Sequence, residues 1–256
     1  MLLGLNSIGR FTVRADDYSK YRPGYPEGII RILEHEVGFN SNKTVVDVGS
    51  GTGLLTKLFL ENGNRVLGVE PNSRMRYHAE RNLSRYRRFV SVKGTAEHTS
   101  LRARSVDLAV MGQALHWFDP DMTAAELVRI SRPEASLCIV YNESRKGSKV
   151  MREFQDVIDR NEGRRKKESN VGVRYSRRFF EGRRLSKFIL SNEQSLNFEG
   201  LMGRLLSGSH MPTRDEPRRL GKLERDARQL FESSQEDGVI RLLYDTRLFV
   251  GRVALN

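Results

Sequence analysis

The chain holds one cysteine, Cys138, in 256 residues. A single thiol excludes an intrachain disulfide framework, a cysteine-rich zinc site and a CxxC redox pair. It fits a reducing compartment, the cytoplasm first. Uncharged stretches are also short, and none approaches the ~20 residues that a membrane span needs. The opening Met1-Leu2-Leu3-Gly4-Leu5 is apolar. It lacks the basic stretch and the long apolar core of a secretory signal, so none is expected. No internal repeat or low-complexity segment is visible. With 38% hydrophobic and 30% charged residues, the composition is that of a soluble globular protein.

Basic residues are in excess, 44 Lys and Arg against 32 Asp and Glu, for a net charge of +12. The excess is scattered: Arg85, Arg87 and Arg88; Arg164 to Lys167; Arg177, Arg178, Arg183 and Arg184; Arg218 and Arg219. Acidic residues separate these groups. The pattern reads as a solvated basic surface, with attraction of acidic small molecules or nucleic acid as the alternatives.

Residues 1–24 look irregular, and Pro26 stands where a first helical turn would begin. Ile29, Ile30, Leu33 and Val37 follow at helical spacing up to Gly38. Thr44 to Val48, Arg65 to Val69, Phe89 to Val92, Val106 to Val110 and Leu137 to Tyr141 read as strands. Helices separate them: one carrying Leu54, Leu55, Leu58 and Phe59 as far as Asn62-Gly63, one from Asn72, and one opened by Asp119-Pro120. Strands alternating with helices at this pitch predict a doubly wound α/β fold, a Rossmann-like and mostly parallel sheet covered on both faces. Beyond Tyr141 the pattern predicts a helix through Met151, Phe154, Val157 and Ile158, then a polar loop from Asn161 to Arg174. Phe188 to Leu190 reads as a sixth strand. A short helix at Leu201, Leu205 and Leu206 and a charged helix from about Arg214 to Phe231 follow. Gly238 to Val253 is one long strand or two bent at Asp245. Residues 1–40 are expected to form an N-terminal lid and helix, 41–145 a cofactor-binding core, and 146–256 the rest of the same domain with a helical cover.

Asp47-Val48-Gly49-Ser50-Gly51-Thr52-Gly53 lies between the first strand and its helix. Glycine lets backbone turn sharply and approach a ligand, and the helix start attracts negative charge. A dinucleotide fingerprint needs a glycine where Leu54 stands. Instead an acid, Asp47, precedes the first glycine by two residues. That carboxylate would repel a pyrophosphate but suits an ammonium group. Glu70 ends the second strand, where a carboxylate accepts from ribose hydroxyls. The ligand is therefore nucleoside-like with a positive group, a description that S-adenosylmethionine fits. A tight turn with Asp47 capping it and Glu70 on the surface is the bland alternative.

These residues resemble the cofactor region of class I S-adenosylmethionine-dependent methyltransferases. The resemblance continues through Gly94-Thr95-Ala96-Glu97 and through Gly112-Gln113-Ala114-Leu115-His116-Trp117-Phe118-Asp119. The run from Tyr18 to Pro26, with His116-Trp117-Phe118, Ser207 to Pro212 and Tyr244 to Arg247, is similar to the subgroup around trans-aconitate methyltransferase. Together they span roughly residue 11 to the end. The family fold is a seven-stranded sheet with a helical cover over the cofactor rim. The resemblance implies that Gly49, Gly51 and Gly53 pass under methionine and ribose, with Asp47 near the amino group and Glu70 on the ribose. It places Pro71, Asn72, Ala96 and Glu97 at the adenine, and Gln113 and Ala114 at the methionine end. S-adenosylhomocysteine would be the product.

Methyl transfer from a sulfonium needs alignment and exclusion of water rather than a metal, and no metal is expected. A base is required only for an acceptor that must lose a proton. His116 is the candidate base or hydrogen-bond donor, or else a wall of the pocket with Trp117. Trp117 reads as core packing first and as a cation–π partner second. Tyr18, Tyr21, Arg22 and Tyr25 form the expected lid, with Arg22 the candidate partner of a carboxylate or else a surface arginine. His35, His78 and His98 read as surface or loop residues, and His210 reaches the pocket only if the C-terminal segment folds over the sheet. The expected function is O-methylation of a small acidic molecule. A nucleic-acid methyltransferase, a quinone or lipid C-methyltransferase and a non-catalytic cofactor-binding scaffold are the alternatives. Cys138 follows Leu137 inside a strand, unlike the attacking thiol of cytosine-5 enzymes, and the fourth strand lacks the Asn/Asp-Pro-Pro-aromatic run of adenine-N enzymes.

Overall fold

The computed structural model describes residues 15–162, 179–180, 184–213 and 215–253. The first residues of the chain, the basic groups at 164–167 and 177–178, Arg183 and Arg214 lie outside the described residues. So does most of the polar loop expected after Asn161.

Alternation of apolar side chains builds the sheet. β1 (Thr44–Val48), β2 (Arg65–Val69) and β3 (Phe89–Val92) form where the β-branched runs predict them. β4 (Val106–Gly112), β5 (Ser131–Ser144) and β6 (Leu185–Leu196) run past their apolar centres. Ladder hydrogen bonds do not depend on side-chain polarity, so pairing carries them further. β7 (Ile240–Arg252) is one continuous strand, without a bend at Asp245. It pairs antiparallel with β6 from Leu196↔Ile240 to Leu185↔Gly251, and Arg145 holds Asp245 at 3.0 Å. The strand order is β3-β2-β1-β4-β5-β7-β6. All neighbours up to β5 are parallel, and β7 is antiparallel to both β5 and β6.

Successive side chains alternate between two cores, as period two requires. Val46, Val48, Leu67, Val69, Met111 and Ile139 face one core, which α5 (Pro120–Ile130) covers with Leu127 and Ile130. Val45, Val66, Leu108, Val110 and Cys138 face the other. There α2 (Gly28–Val37) supplies Ile29 and Leu33, and α3 (Leu54–Glu61) supplies Leu55 and Phe59. α2 begins two residues after Pro26 and ends at Gly38, φ 63°. α4 (Ser73–Asn82) is capped by Asn72, whose Oδ1 accepts from the Arg74 and Met75 N–H groups. A third core joins α6 (Lys149–Asn161), α7 (Phe198–Leu206) and α8 (Pro217–Ser234) over the start of β7, through Phe154, Leu201, Leu223 and Leu242. Among the described residues no helix is long and apolar enough to cross a membrane.

One helix was not legible. Residues 15–21, which read as irregular, form α1 (Ala15–Tyr21). Seven residues are too few to display a period or to be stable alone, so tertiary contacts decide the conformation. Tyr21 Oη donates to Glu199 of α7 at 2.8 Å, and Lys20 Nζ lies 3.1 Å from the same carboxylate. The Tyr21 ring fills the space that a side chain at Gly203 would occupy. On the other side Asn82 donates to Ser19 at 2.6 Å. His78 Nε2 lies 2.9 Å from Asp16 Oδ1, so His78 is a buried residue of this contact rather than a surface one. Gly203→Ala should undock α1 from α7. Hydrogen exchange is expected to show lost protection across residues 15–21 with the sheet unchanged, and retained protection there would refute the wedge.

Candidate active site

The strand order reverses direction at β1 and β4, and open α/β sheets place their ligand crevice at the carboxyl ends beside such a point. A cavity of about 270 Å³ opens there. Its wall is built from the turn after β1 (Gly49, Gly51), the end of β2 with the start of α4 (Glu70, Pro71, Asn72, Met75) and the turn after β4 (Gly112, Gln113, Ala114). The remaining wall carries Tyr18 of α1 and Arg22 just after it, His116, Trp117 and Phe118, and Ser209 from the segment after α7.

Two glycines define the turn. Gly49 has φ 73°, and a Cβ there would come within 2.8 Å of Ala114 Cβ and 2.9 Å of the Phe118 ring. Gly51 has φ 56°, and a Cβ on it would meet no atom within 4 Å. It would stand in the open space of the cavity, so the turn is shaped to leave room there. Glu70 is 9% exposed. Its Oε2 accepts from the Gly51 N–H at 3.1 Å and its Oε1 from the Asn72 N–H at 2.8 Å. Burial pushes the Glu70 carboxyl up, and those two N–H groups oppose the shift.

Asp47 sits behind the turn rather than on the cavity wall. It is 1% exposed, its Oδ2 accepts from Thr56 Oγ1 at 2.6 Å, and its Oδ1 has no partner among the described residues. Burial pushes this carboxyl up to about 7, the Thr56 hydroxyl opposes that, and the nearby Glu70 charge adds to it. Gly53 precedes α3 and packs under Leu83, away from the cavity. Ala96 is buried in a sheet core, and Glu97 Oε1 accepts from the Asp119 N–H at 2.9 Å. Neither Ala96 nor Glu97 lines the cavity. Of the fourteen residues singled out from sequence, the structure thus brings ten to the cavity and leaves Asp47, Gly53, Ala96 and Glu97 outside it.

The far wall differs in charge. Arg22 is no surface arginine. Its Nη2 donates to the Ser207 carbonyl at 3.0 Å and its guanidinium lies 4.9 Å from the Tyr18 ring centre. Its buried Nε has no partner among the described residues. Burial first, then the charge of Arg204, lowers its pKa to about 10. Among the described residues no carboxylate is paired with it. Trp117 is 42% exposed, so it is a rim residue rather than core, with its ring 4.7 Å from that of His116. The C-terminal segment does fold over the sheet, but it brings Ser209 to the cavity rather than His210. Met75 also lines it and was not named from sequence, while Gly112 and Phe118 line it after being quoted only within the run from Gly112 to Asp119. Their apolar or small side chains carry no chemical signature, and only their places after β2 and β4 mark them. Cys138, buried in β5, has its thiol pushed up to about 12 by burial, which suits no nucleophile.

Residues 46–139 match the family described as a methyltransferase domain. An uncharacterized methyltransferase of Mycobacterium tuberculosis is 34% identical over 143 residues, 56% of this chain and 56% of that protein. A protein of Saccharomyces cerevisiae, provisionally named an S-adenosylmethionine-dependent methyltransferase, is 30% identical over 130 residues, 48% of this chain and 44% of that one. Similarity thus spans about half the length of these curated relatives. Among solved structures, a provisionally assigned type II methyltransferase of Anaeromyxobacter dehalogenans superposes with a TM-score of 0.69 at 25% identity, covering 92% of this chain and all of the other. Residues 46–139 thus carry a match to a methyltransferase domain, and fold and glycine turn are similar to those of class I S-adenosylmethionine-dependent methyltransferases.

Asp47 yields a test of its own. Below pH about 4 its carboxyl is protonated folded and unfolded alike and contributes nothing. Between that pH and about 7 the folded state keeps a proton the unfolded state has lost, so stability falls as pH rises. Asp47→Asn removes this loss. In the ligand-free protein the melting temperature of the variant, minus that of the parent, should grow from pH 4 to pH 8 in a calorimetric series. A constant difference would contradict the buried acid.

Proposed function

We propose that this protein binds S-adenosylmethionine in the cavity and methylates an oxygen of a small acidic molecule. The observation that carries the first half is the Glu70 carboxylate, fixed by two backbone N–H groups against an open glycine turn. Its remaining lone pairs suit a ribose diol, with Pro71 and Asn72 flanking the base and Gln113 and Ala114 beside the methionine end. Asp47, with an oxygen that no described residue satisfies, suits an ammonium group reached through the turn. When bound, the cofactor supplies a methyl group on a positively charged sulfur, open to in-line displacement. Ala96 and Glu97 remain candidates for the adenine only if the loop after β3 shifts toward the cavity.

Arg22 supports the second half. A half-buried guanidinium with an N–H unmatched and no carboxylate partner among the described residues favours an anion beside it. A carboxylate acceptor is already a nucleophile and needs no base, which leaves His116 to orient it or close the wall. Residues 41–145 would then form the cofactor core, with 1–40 as lid and 146–256 as cover, in a cytoplasmic enzyme. The resemblance to trans-aconitate methyltransferase points the same way.

Trp117 is the only tryptophan and lines the cavity, so its fluorescence reports the site directly. Titration with S-adenosylhomocysteine should change that emission. Glu70→Ala should weaken binding by about tenfold to a hundredfold, since a hydrogen bond to a charged group contributes about 1.5–3 kcal/mol. Unchanged affinity in a folded variant removes Glu70 from the site. For the acceptor, labelled S-adenosylmethionine is offered to fractionated metabolites and to RNA. Label in alkali-labile esters of small acids, lost in Arg22→Ala, is expected. Label in RNA, or in alkali-stable lipid or quinone, would replace the acidic acceptor with another.

A further inference from the structure

β6 ends the sheet on one side, and among the described residues no strand pairs with its outer edge. At twelve residues it is about 40 Å long. Such an edge presents a row of unpaired N–H and C=O groups, and proteins that keep one unused shorten it, bulge it or cover it. Its two faces differ. Leu190 lies against Gly28, while Asn192 donates to the Gly24 carbonyl at 2.9 Å and Gln194 to the Tyr21 carbonyl at 2.8 Å. These even-numbered residues hold the lid. The odd-numbered Lys187, Ile189, Ser191, Glu193 and Ser195 are exposed, with Ile189 at 58%. On the adjoining strands Asp245 is paired with Arg145 and Arg247 with Glu143. Among the described residues no ion pair involves Lys187 or Glu193.

We propose that the outer edge of β6 is an interface for a second copy of this chain, paired antiparallel about Leu190. A two-fold axis perpendicular to the sheet sets residues of like parity opposite each other, because each face must meet the same face. Centred on Leu190, it puts Lys187 opposite Glu193 of the other copy, twice, by symmetry. Ile189 then meets Ser191, Phe188 meets Asn192, and Leu190 meets its own equivalent. Moving the centre to Ile189 or Ser191 sets Lys187 against a serine and leaves both charges unmatched. The charges thus select one register, as cross-strand pairs do within sheets. The result is an isologous dimer with one sheet running through both copies. The inference rests on the edge and its charges and is independent of the cofactor and acceptor reading.

The test is the oligomeric state by sedimentation equilibrium on the full chain, with circular dichroism confirming each fold. The parent is expected to be dimeric. K187E and E193K should each raise the dimer dissociation constant at least about tenfold, because two attractive pairs become repulsive. The double variant K187E/E193K restores opposite charges and should dimerise like the parent. An equimolar mixture of the two single variants should form heterodimers, since the remaining and introduced charges are complementary across the axis. A parent that stays monomeric at every concentration overturns the proposal. So does a dimer indifferent to both single exchanges, which would use another surface.

Discussion

A single carboxylate organises the ligand rim. Glu70 ends β2 almost fully buried, where an ionised acid is costly unless hydrogen bonds satisfy it. It receives one N–H from the turn after β1 and another from the residue that caps α4. Those two bonds tie together the ends of adjacent parallel strands and fix the left-handed conformation of Gly51. The Asn72 side chain is itself committed to the first turn of α4, so the helix start cannot drift. The rim is therefore held by the protein's own hydrogen bonds, and a ligand bound there would not need to supply the entropy of ordering it.

Tension on the opposite wall is held differently. Gln113 adopts φ 55° without being a glycine, a conformation that persists only where surroundings impose it. Its N–H donates to Val140 at 3.1 Å and its side chain to the Asn142 carbonyl at 3.0 Å. The Asn142 side chain in turn donates to the Gly24 carbonyl, which Asn192 also reaches. A continuous path of hydrogen bonds thus runs from the turn after β4 through the strand ends to the segment carrying Arg22. The turn after β4 and the segment carrying Arg22 share supports.

How much of this the sequence disclosed depends on the range of the forces involved. β1, β2 and β3 were legible to the residue because β-branched side chains and flanking turns are local signals, and so were the caps at Gly38, Asn72 and Asp119. The glycine turn and Glu70 were legible because backbone shape and a strand-end acid are written in consecutive residues. α1 was not, since it exists through Tyr21 on Gly203 and Asp16 beside His78, contacts between segments far apart in the chain. Trp117 was misread for a related reason. An aromatic after a buried strand reads as core by composition, and only the position of the short turn at Leu115–Trp117 exposes it. The place of Ser209 depends on how the helical cover folds over the rim, which no local pattern encodes. Ala96 and Glu97 were named through resemblance alone, and the structure has Glu97 engaged at the start of α5, off the cavity wall.

Charge then distinguishes the two sides of the cavity. At the strand ends the Glu70 charge bears on Asp47 and the Arg76 charge on Glu70, while the groups acting on Arg22 are Arg204 and the tyrosines Tyr18, Tyr25 and Tyr244. The carboxylates and the guanidinium do not neutralise one another. If they did, the cavity would be a structural ion pair with space around it. Glu70 and Arg22 stand apart in a partly desolvated cleft, where solvent screens their fields weakly. A ligand with hydroxyl or ammonium groups at one end and a carboxylate at the other gains from both fields in one orientation only. A diphosphate in the same turn would face Glu70 with like charge. The scattered +12 of the surface favours anions without orienting them, whereas the separated charges of the cleft would favour one orientation of a ligand placed there.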